Sequence, residues 1–377
     1  MIYTYVATCL FGIEKVLGEE IDKLGYKRIE TIDGRIKFAG DESAVSRCNI
    51  WLRTAERLYI EIGTTDAFSF EELYQNVLKM PWSDFIGKND SFPVSGHSVN
   101  SELKSIPSLQ SVIQKAIAES LKKTYSVSIL PAVNKRFSIE FFILKNKASL
   151  MIDISGTALH KRGYRIQSND APLRETIASA LISLSKPKDD ILYWDPMCGS
   201  GTIPIEASMI FQNIAPGSKR SFISEDLCFP DSFVWRQARE EAKDVIINNI
   251  THLIYSSDID EKSLRIAKNN IQRAGVSDYI SLFKMDLSEV RTEGKKGTVI
   301  CNPPYGERMS TVKETLQLYK KMGETFRKLD NWQIYVLTSN ETFEKYYGQR
   351  ADKIRKIYNG MIKCNFYQFY KKHPDKQ

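Results

Sequence analysis

The stretch 193–207, YWDPMCGSGTIPIEA, decides how the chain is read. ILYW (191–194) is a short apolar run of strand length, and TIPIEASMIFQNI (202–214) is a longer one of helix length. A glycine turn joins them. Strand, turn and helix in that order open a parallel α/β sheet. Gly199 and Gly201 let backbone approach a ligand, and the free N–H groups where the helix starts at Thr202 favour a carboxylate or other anion. A glycine turn of this kind is also a common structural connector. It is not a phosphate-gripping loop, because no Lys-Ser/Thr pair follows the glycines. Nor does it fit the dinucleotide fingerprint. Pro204 stands where the third glycine belongs, and the next strand-end acid, Asp258, lies 57 residues past Gly201 (258 − 201) instead of ~20.

Downstream the same alternation repeats. LIYSSDID (253–260) is a strand, EKSLRIAKNNIQRAG a helix stopped by Gly275, ISLFKMD (280–286) a strand and GTVICN (297–302) another. TLQLYKKMGETFRKL is a helix, WQIYVLTS (332–339) a strand, and two strand-like pieces close the chain around Asn359-Gly360. The pattern predicts a doubly wound, mostly parallel sheet with its ligand at the carboxyl ends of the strands. Three of those ends carry marked residues. Asp258 could accept both hydroxyls of a ribose, whereas Asp260, just before EKSL, reads as a helix N-cap; both could equally be caps. Asp286 could accept from an exocyclic amine, or sit in a solvated loop. NPPY (302–305) ends the next strand, because proline cannot continue a ladder, and it holds a rigid non-helical turn there.

Upstream, residues 1–65 read as strand, helix, hairpin, helix, strand. Ile13, Val16, Leu17, Ile21 and Leu24 make one helical stripe, and Asp33-Gly34 marks the hairpin. Residues 66–165 repeat the mixture, with a helix up to Pro81, the strand FPVSGHSVNS, a long amphipathic helix, and two strands joined at Lys145-Asn146-Lys147. We therefore expect three domains: 1–65, 66–165 and 166–377.

Composition narrows the function. The chain has 377 residues, 42% of them hydrophobic, and a net charge of +7. Residues 1–65 carry 9 basic and 10 acidic side chains, 66–165 carry 13 and 9, and 166–377 carry 31 and 27. A polyanionic partner is thus allowed beyond the first segment, though not demanded. The first twenty residues lack a basic n-region, so no signal peptide is expected, and no run nears the ~18 apolar residues of a membrane span. Six scattered cysteines without a C-x-x-C pair, and only four histidines, suit a reducing cytoplasm and argue against metal.

The order strand–G-x-G–helix, strand–Asp, strand–Asp, strand–NPPY resembles the class I methyltransferases that use S-adenosylmethionine and modify a planar nitrogen. The resemblance implies a Rossmann-like, mostly parallel seven-stranded sheet. It implies that Asp195, Pro196, Cys198, Gly199, Gly201 and Thr202 wrap the methionine end of the cofactor, Asp258 its ribose and Asp286 its adenine amine. Asn302, Pro303, Pro304 and Tyr305 would form the substrate pocket. The Asn302 side-chain oxygen and the Pro303 carbonyl would each accept one N–H of an amine, and Tyr305 would stack on its base. Leu159-His160-Lys161-Arg162-Gly163-Tyr164-Arg165, then Ala171-Pro172-Leu173, with an insertion at 219–250, resembles bacterial rRNA guanine-N2 methyltransferases. Those carry a ferredoxin-like segment and a THUMP RNA-binding domain ahead of the catalytic one. The expected partner is therefore 23S rRNA or its ribosomal precursor, with no membrane and no metal, and tRNA guanine as an alternative. Lys161, Arg162 and Arg165 would meet phosphates or help close the cofactor site; a basic linker packed on the catalytic domain is the other reading. A second methyltransferase domain, fused in some relatives, is not expected here. DNA adenine-N6 and protein glutamine methylation remain rivals, as does a silent RNA-binding module.

Overall fold

A computed structural model describes residues 1–165, 172–188, 191–227, 229–251, 253–290, 292, 294–305 and 312–370. Ala171, Cys228 and the Gly306 to Arg308 continuation of NPPY lie outside them. The chain divides into two compact units. One comprises Met1–Thr8, Gly18–Leu159 and Arg220–Glu241; the other comprises Cys9–Leu17, His160–Lys219 and Ala242–Gln377.

The first unit is built on β1 (Tyr3–Thr8), α1 (Glu14–Lys23), β2 (Lys27–Ile32), β3 (Arg35–Gly40), α2 (Ser43–Trp51), β4 (Arg57–Asp66), α3 (Phe70–Leu78), β5 (Val94–Val99), α4 (Ile106–Tyr125), β6 (Ile139–Leu144) and β7 (Lys147–Asp153). Its seven strands form one sheet, β2-β3-β1-β4-β7-β6-β5. The ten-residue β4 makes it continuous, because Arg57–Glu61 pair with β1 while Tyr59–Asp66 pair with β7. The hairpins turn where their residues allow φ > 0: Gly34 at 74°, and Lys145 and Asn146 at 50° and 63°. The 220–241 insertion is bound into this unit. Arg47 grips the Glu241 carboxylate with two N–H donors at 2.9 Å each, and the Ser224 hydroxyl donates to the Ile154 carbonyl at 2.6 Å.

The second unit follows the alternation read from the sequence. After α5 (Glu175–Ser185) come β8 (Leu192–Asp195) and α6 (Thr202–Phe211); beyond α7 (Ser232–Asp244), which lies mostly in the first unit, follow β9 (Ile254–Asp258), α8 (Glu261–Ala274), β10 (Ile280–Lys284), β11 (Gly297–Cys301), α9 (Val312–Phe326), β12 (Trp332–Thr338), α10 (Phe343–Tyr347), β13 (Lys353–Asn359) and β14 (Ile362–Phe369). The sheet order is β10-β9-β8-β11-β12-β14-β13. The first five strands are mutually parallel, and β14 enters antiparallel to both β12 and β13. Trp194, Trp332 and Phe326 pack edge-to-face in the core, with centroids 6.2 and 6.3 Å apart. Truncating a buried aromatic of this kind costs ~3–5 kcal/mol.

Three helices had escaped the periodicity reading. In α5 nine of eleven residues are buried, so no polar face betrays a helical period. The five residues of α10 are too few to show one. The amphipathic α7 lay inside an insertion read only as a block.

Candidate active site

Strand order reverses at β8, which has β9 on one side and β11 on the other. A crevice at that point is where open α/β sheets bind ligands. The residues singled out in the sequence converge on it: Asp195 ends β8, Asp258 ends β9, Asp286 follows β10 and Asn302 follows β11. Register confirms the levels, since Asp195 stands opposite Ser256 and Asp258 opposite Lys284.

The glycine turn is built from backbone outward. Gly199 at φ 52° and Gly201 at φ 83° are in the left-handed region. A Cβ on Gly201 would come within 3.2 Å of the Ala267 Cβ on α8, so the helix packs where only hydrogen fits easily. The Cys198 N–H donates to the Ser257 carbonyl at 3.0 Å. The Gly199 N–H donates to Asp258 Oδ2 at 2.9 Å, and the Asn270 amide donates to the Ser200 carbonyl at 2.9 Å. Asp195 is buried and accepts the Met197 N–H at 3.2 Å. Burial drives its carboxyl well above the usual range, the Met197 N–H opposes this, and the nearby Asp258 adds to the rise.

The next two acids differ. Asp258 Oδ1 accepts the Asp260 N–H at 2.9 Å, so its two oxygens are each held by one backbone donor. Burial raises its pKa despite those bonds. Asp260 is the N-cap expected of it, accepting the N–H groups of Lys262 and Ser263. Asp286 caps a single turn at Leu287–Glu289 through Ser288 and takes the Lys321 ammonium on Oδ2 at 2.6 Å. Burial pushes its pKa up, but Lys321 and Ser288 outweigh it and hold the carboxyl at about 2.

At β11 the strand stops and Asn302 to Tyr305 turn away from it. The Tyr305 hydroxyl donates to Asn302 Oδ1 at 2.6 Å, and the Cys364 thiol on β14 reaches that hydroxyl at 3.6 Å. Burial keeps the Tyr305 phenol neutral, well above its ordinary pKa. From α9, the Tyr319 hydroxyl donates to the Pro304 carbonyl at 3.4 Å and lies 2.9 Å from Thr338 Oγ1 at the end of β12. One lone pair of the Asn302 amide oxygen is therefore taken from within the turn itself.

The linker is placed differently from its expected role. Lys161 is exposed, but Arg162 and Arg165 turn inward. The Arg162 side chain is only 2% exposed and lies 3.6 Å from Glu206, which is fully buried. Tyr164 and Ser179 donate to the same carboxylate at 3.0 and 2.5 Å. Arg165 donates to Thr202 Oγ1 at 2.6 Å and to the Leu173 carbonyl at 2.9 Å, and lies 3.5 Å from the buried Glu175. Two buried carboxylates need compensating cations nearby, and these arginines supply them. The phosphate contacts expected of Arg162 and Arg165 are thus corrected to packing roles within the catalytic unit. Arg165 braces the first residue after the glycine turn. The sequence reading missed Glu206, Glu175, Asn270, Tyr319, Lys321 and Thr338. Glu206 had a signal, being a lone acid in the otherwise apolar helix TIPIEASMIF; the others look like ordinary helix and strand residues.

These groups suit a ligand that carries a carboxylate for the α6 N-terminus and vicinal hydroxyls for Asp258. Residues 162–368 match the RMKL-like methyltransferase domain. The chain belongs to this methyltransferase family. Ahead of it, residues 4–59 match the RlmL ferredoxin-like domain and 67–153 the THUMP domain. The chain is 42% identical to "Putative RNA methyltransferase YpsC" of Bacillus subtilis (strain 168), covering 98% of this chain and 96% of that one. It is 31% identical to the ribosomal RNA large subunit methyltransferase K/L of Psychromonas ingrahamii, over 94% of this chain but only 48% of the relative, so it spans about half of that protein's length. Among solved structures, SMU.472, "a putative methyltransferase complexed with SAH", superposes with a TM-score of 0.91 at 39% identity, covering 99% of both chains. A structure from Listeria monocytogenes str. 4b F2365, described as "a predicted N6-adenine-specific DNA methylase", superposes with a TM-score of 0.92 at 40% identity, over 99% of this chain and 97% of that one.

Among the described residues, no group of three or more His, Cys, Asp or Glu is placed to hold a metal ion, and no helix is long and apolar enough to cross a membrane.

Proposed function

We propose that this protein transfers the methyl group of S-adenosylmethionine to the exocyclic N2 amine of a guanine in 23S rRNA. The observation that carries the reading is the placement of NPPY. It ends the strand beside β8, so an amine held by Asn302 faces the ligand crevice of the glycine turn across one strand spacing. S-adenosylmethionine supplies an electrophilic methyl group on a sulfonium. The α6 N-terminus and its glycine turn take its carboxylate, Asp258 its ribose hydroxyls, and Asp286 its adenine amine.

The chain's own task is to make a poor nucleophile react. An arylamine lone pair is delocalised into its ring. Asn302 Oδ1 and the Pro303 carbonyl each accept one N–H, which orients the nitrogen for in-line attack and favours its developing positive charge. The two prolines fix both acceptors in advance. The Tyr305 ring stacks on the base. No strong base is required, because the nitrogen becomes acidic once methylated and its proton passes to water. The THUMP match supports an RNA substrate.

Mass-spectrometric mapping of rRNA and tRNA from a strain lacking the protein tests this. The expected result is one missing N2-methylguanine in 23S rRNA; a loss confined to tRNA moves the substrate, and a loss in neither overturns the reading. A second reading, adenine N6 in DNA, is favoured by the description of the Listeria structure. Activity on duplex DNA carrying no guanine in place of RNA would establish it.

A further inference from the structure

The last hairpin of the catalytic unit, β13 and β14, carries a feature that the reaction described above leaves unused. Its two-residue turn is Gly360-Met361, with Gly360 at φ 66°. Met361 is 97% exposed. Turns of this size ordinarily carry Gly, Asn, Asp or Ser, each for a backbone reason. A fully exposed methionine has no such reason to be there.

Register fixes where the turn stands. Cys301, the last residue of β11, is level with Val336 of β12, and Val336 is level with Tyr367 of β14. Continuing outward, NPPY leaves the sheet alongside Phe366 to Cys364. The contact between the Cys364 thiol and the Tyr305 hydroxyl, at 3.6 Å, places the strand against the pocket. The last paired residue of β12 is Thr338, opposite Asn365. Ile362, Lys363 and Cys364 therefore run past the end of β12, on the catalytic side of the sheet. Met361 stands three residues beyond Cys364, ~10 Å at the rise of a strand. The hairpin holds it stiffly, since seven residue pairs from Lys353↔Gln368 to Asn359↔Ile362 are in register without a bulge.

The surroundings are cationic. Lys356 is exposed on β13, Lys363 on β14 is exposed and paired with the Glu341 carboxylate at 3.1 Å, and the Arg174 guanidinium lies 3.6 Å from where a Cβ on Gly360 would be. An apolar tip flanked by cations fits a nucleic-acid strand, with phosphates on the cations and the tip among the bases. An enzyme acting on a base must take it out of its stack, which leaves a gap that costs a few kcal/mol. Methionine is among the apolar side chains that insert as wedges between base steps.

We infer that Met361 is a wedge that fills the RNA stack when the target base is turned into the Asn302–Tyr305 pocket. This rests on the RNA reading above. The test compares wild type, Met361→Ala and Met361→Leu on two substrates with radiolabelled S-adenosylmethionine. One is deproteinised 23S rRNA from a strain lacking the protein; the other is a short unpaired oligonucleotide spanning the mapped guanine. Met361→Ala should lower kcat/KM on the folded rRNA by about tenfold or more and change the oligonucleotide by less than about twofold. Met361→Leu should restore most of the folded-rRNA activity, because it keeps the apolar volume. Equal activity of Met361→Ala and wild type on folded rRNA overturns the wedge. So does an equal loss on both substrates. A wild type that methylates neither RNA overturns the RNA reading itself, and the wedge with it.

Discussion

The two sides of the catalytic crevice are assembled by different means. On the cofactor side, Asp258 is held by the backbone N–H groups of Gly199 and Asp260, and Asp195 by that of Met197. On the amine side, the turn is held by hydroxyls: Tyr305 on Asn302, and Tyr319 on the Pro304 carbonyl. Backbone donors cannot rotate away, so the first side is set by the fold itself. Side-chain hydroxyls can, so the second side can exchange its internal bonds for those of a substrate. Mutations on the two sides should therefore separate cleanly into effects on cofactor affinity and effects on rate.

The largest expected effect tests that separation directly. On the proposed reading, Asn302→Ala removes an acceptor aimed at charge that develops only during transfer. Methylation should fall by ~10²–10³-fold, the usual scale for one such group. Affinity for S-adenosylhomocysteine by calorimetry should stay nearly constant. Undiminished transfer would remove NPPY from the active site, and the guanine reading would go with it. Asn302→Asp should be milder, because a carboxylate still accepts, and assay on matched guanine and adenine RNAs would show whether base choice relaxes.

Asp258→Ala should do the reverse. On the proposed reading it removes a charged acceptor from the cofactor's ribose, where such hydrogen bonds are worth ~1.5–3 kcal/mol, or about ten- to a hundredfold in Kd. It also frees the Gly199 N–H. Asp258→Asn keeps an acceptor for that N–H and should recover part of the affinity. A rate effect at saturating cofactor larger than the affinity effect would break the division between the two sides.

Asp286 sharpens the comparison within the cofactor side. Lys321 and Ser288 hold its carboxyl at about 2, below the ordinary 3.8. A depressed folded-state pKa contributes stability that is complete above the unfolded value and is lost as pH falls through the folded one. Wild type should therefore lose this contribution between about pH 4 and pH 2, and Asp286→Asn should show a shallower acid unfolding curve over that window. Urea midpoints across the window decide it. Identical curves would mean that the Lys321 pair contributes nothing, as many partly exposed ion pairs do.

These contrasts also explain what was legible in the sequence. The strand–turn–helix alternation was plain because parallel strands and amphipathic crossover helices write different periods into the chain. The strand-end residues were legible because each closes a run of strand length: Asp258 after LIYSS, Asn302 after GTVIC. The linker was not. LHKRGYR looks like a phosphate-binding run because spacing records charge and says nothing of burial. Its arginines were claimed by Glu206 and Glu175, which stand 44 (206 − 162) and 10 (175 − 165) residues further along the chain. Tyr319, Asn270 and Thr338 were hidden for a related reason. Each acts through hydrogen bonds that cross between elements, and no local pattern encodes such a partner.

The smallest predicted effect falls on the aspartate two residues from the proposed ribose ligand. Asp260 shares its strand end with Asp258, yet its pKa moves the other way: hydrogen bonds from Ser263 lower it, while burial raises that of Asp258. One residue is exposed and spends its oxygens on the first turn of α8; the other is half-buried and faces the glycine turn. Asp260→Ala should cost ~1 kcal/mol of stability by leaving helix N–H groups uncapped, read as a lower urea midpoint with the slope unchanged. Asp260→Ser should recover most of it, because serine caps nearly as well. Cofactor affinity should move less than it does in Asp258→Ala. If calorimetry and denaturation exchange the two phenotypes, ribose ligand and cap have been assigned to the wrong aspartates, and the backbone-held cofactor side must be redrawn around Asp260.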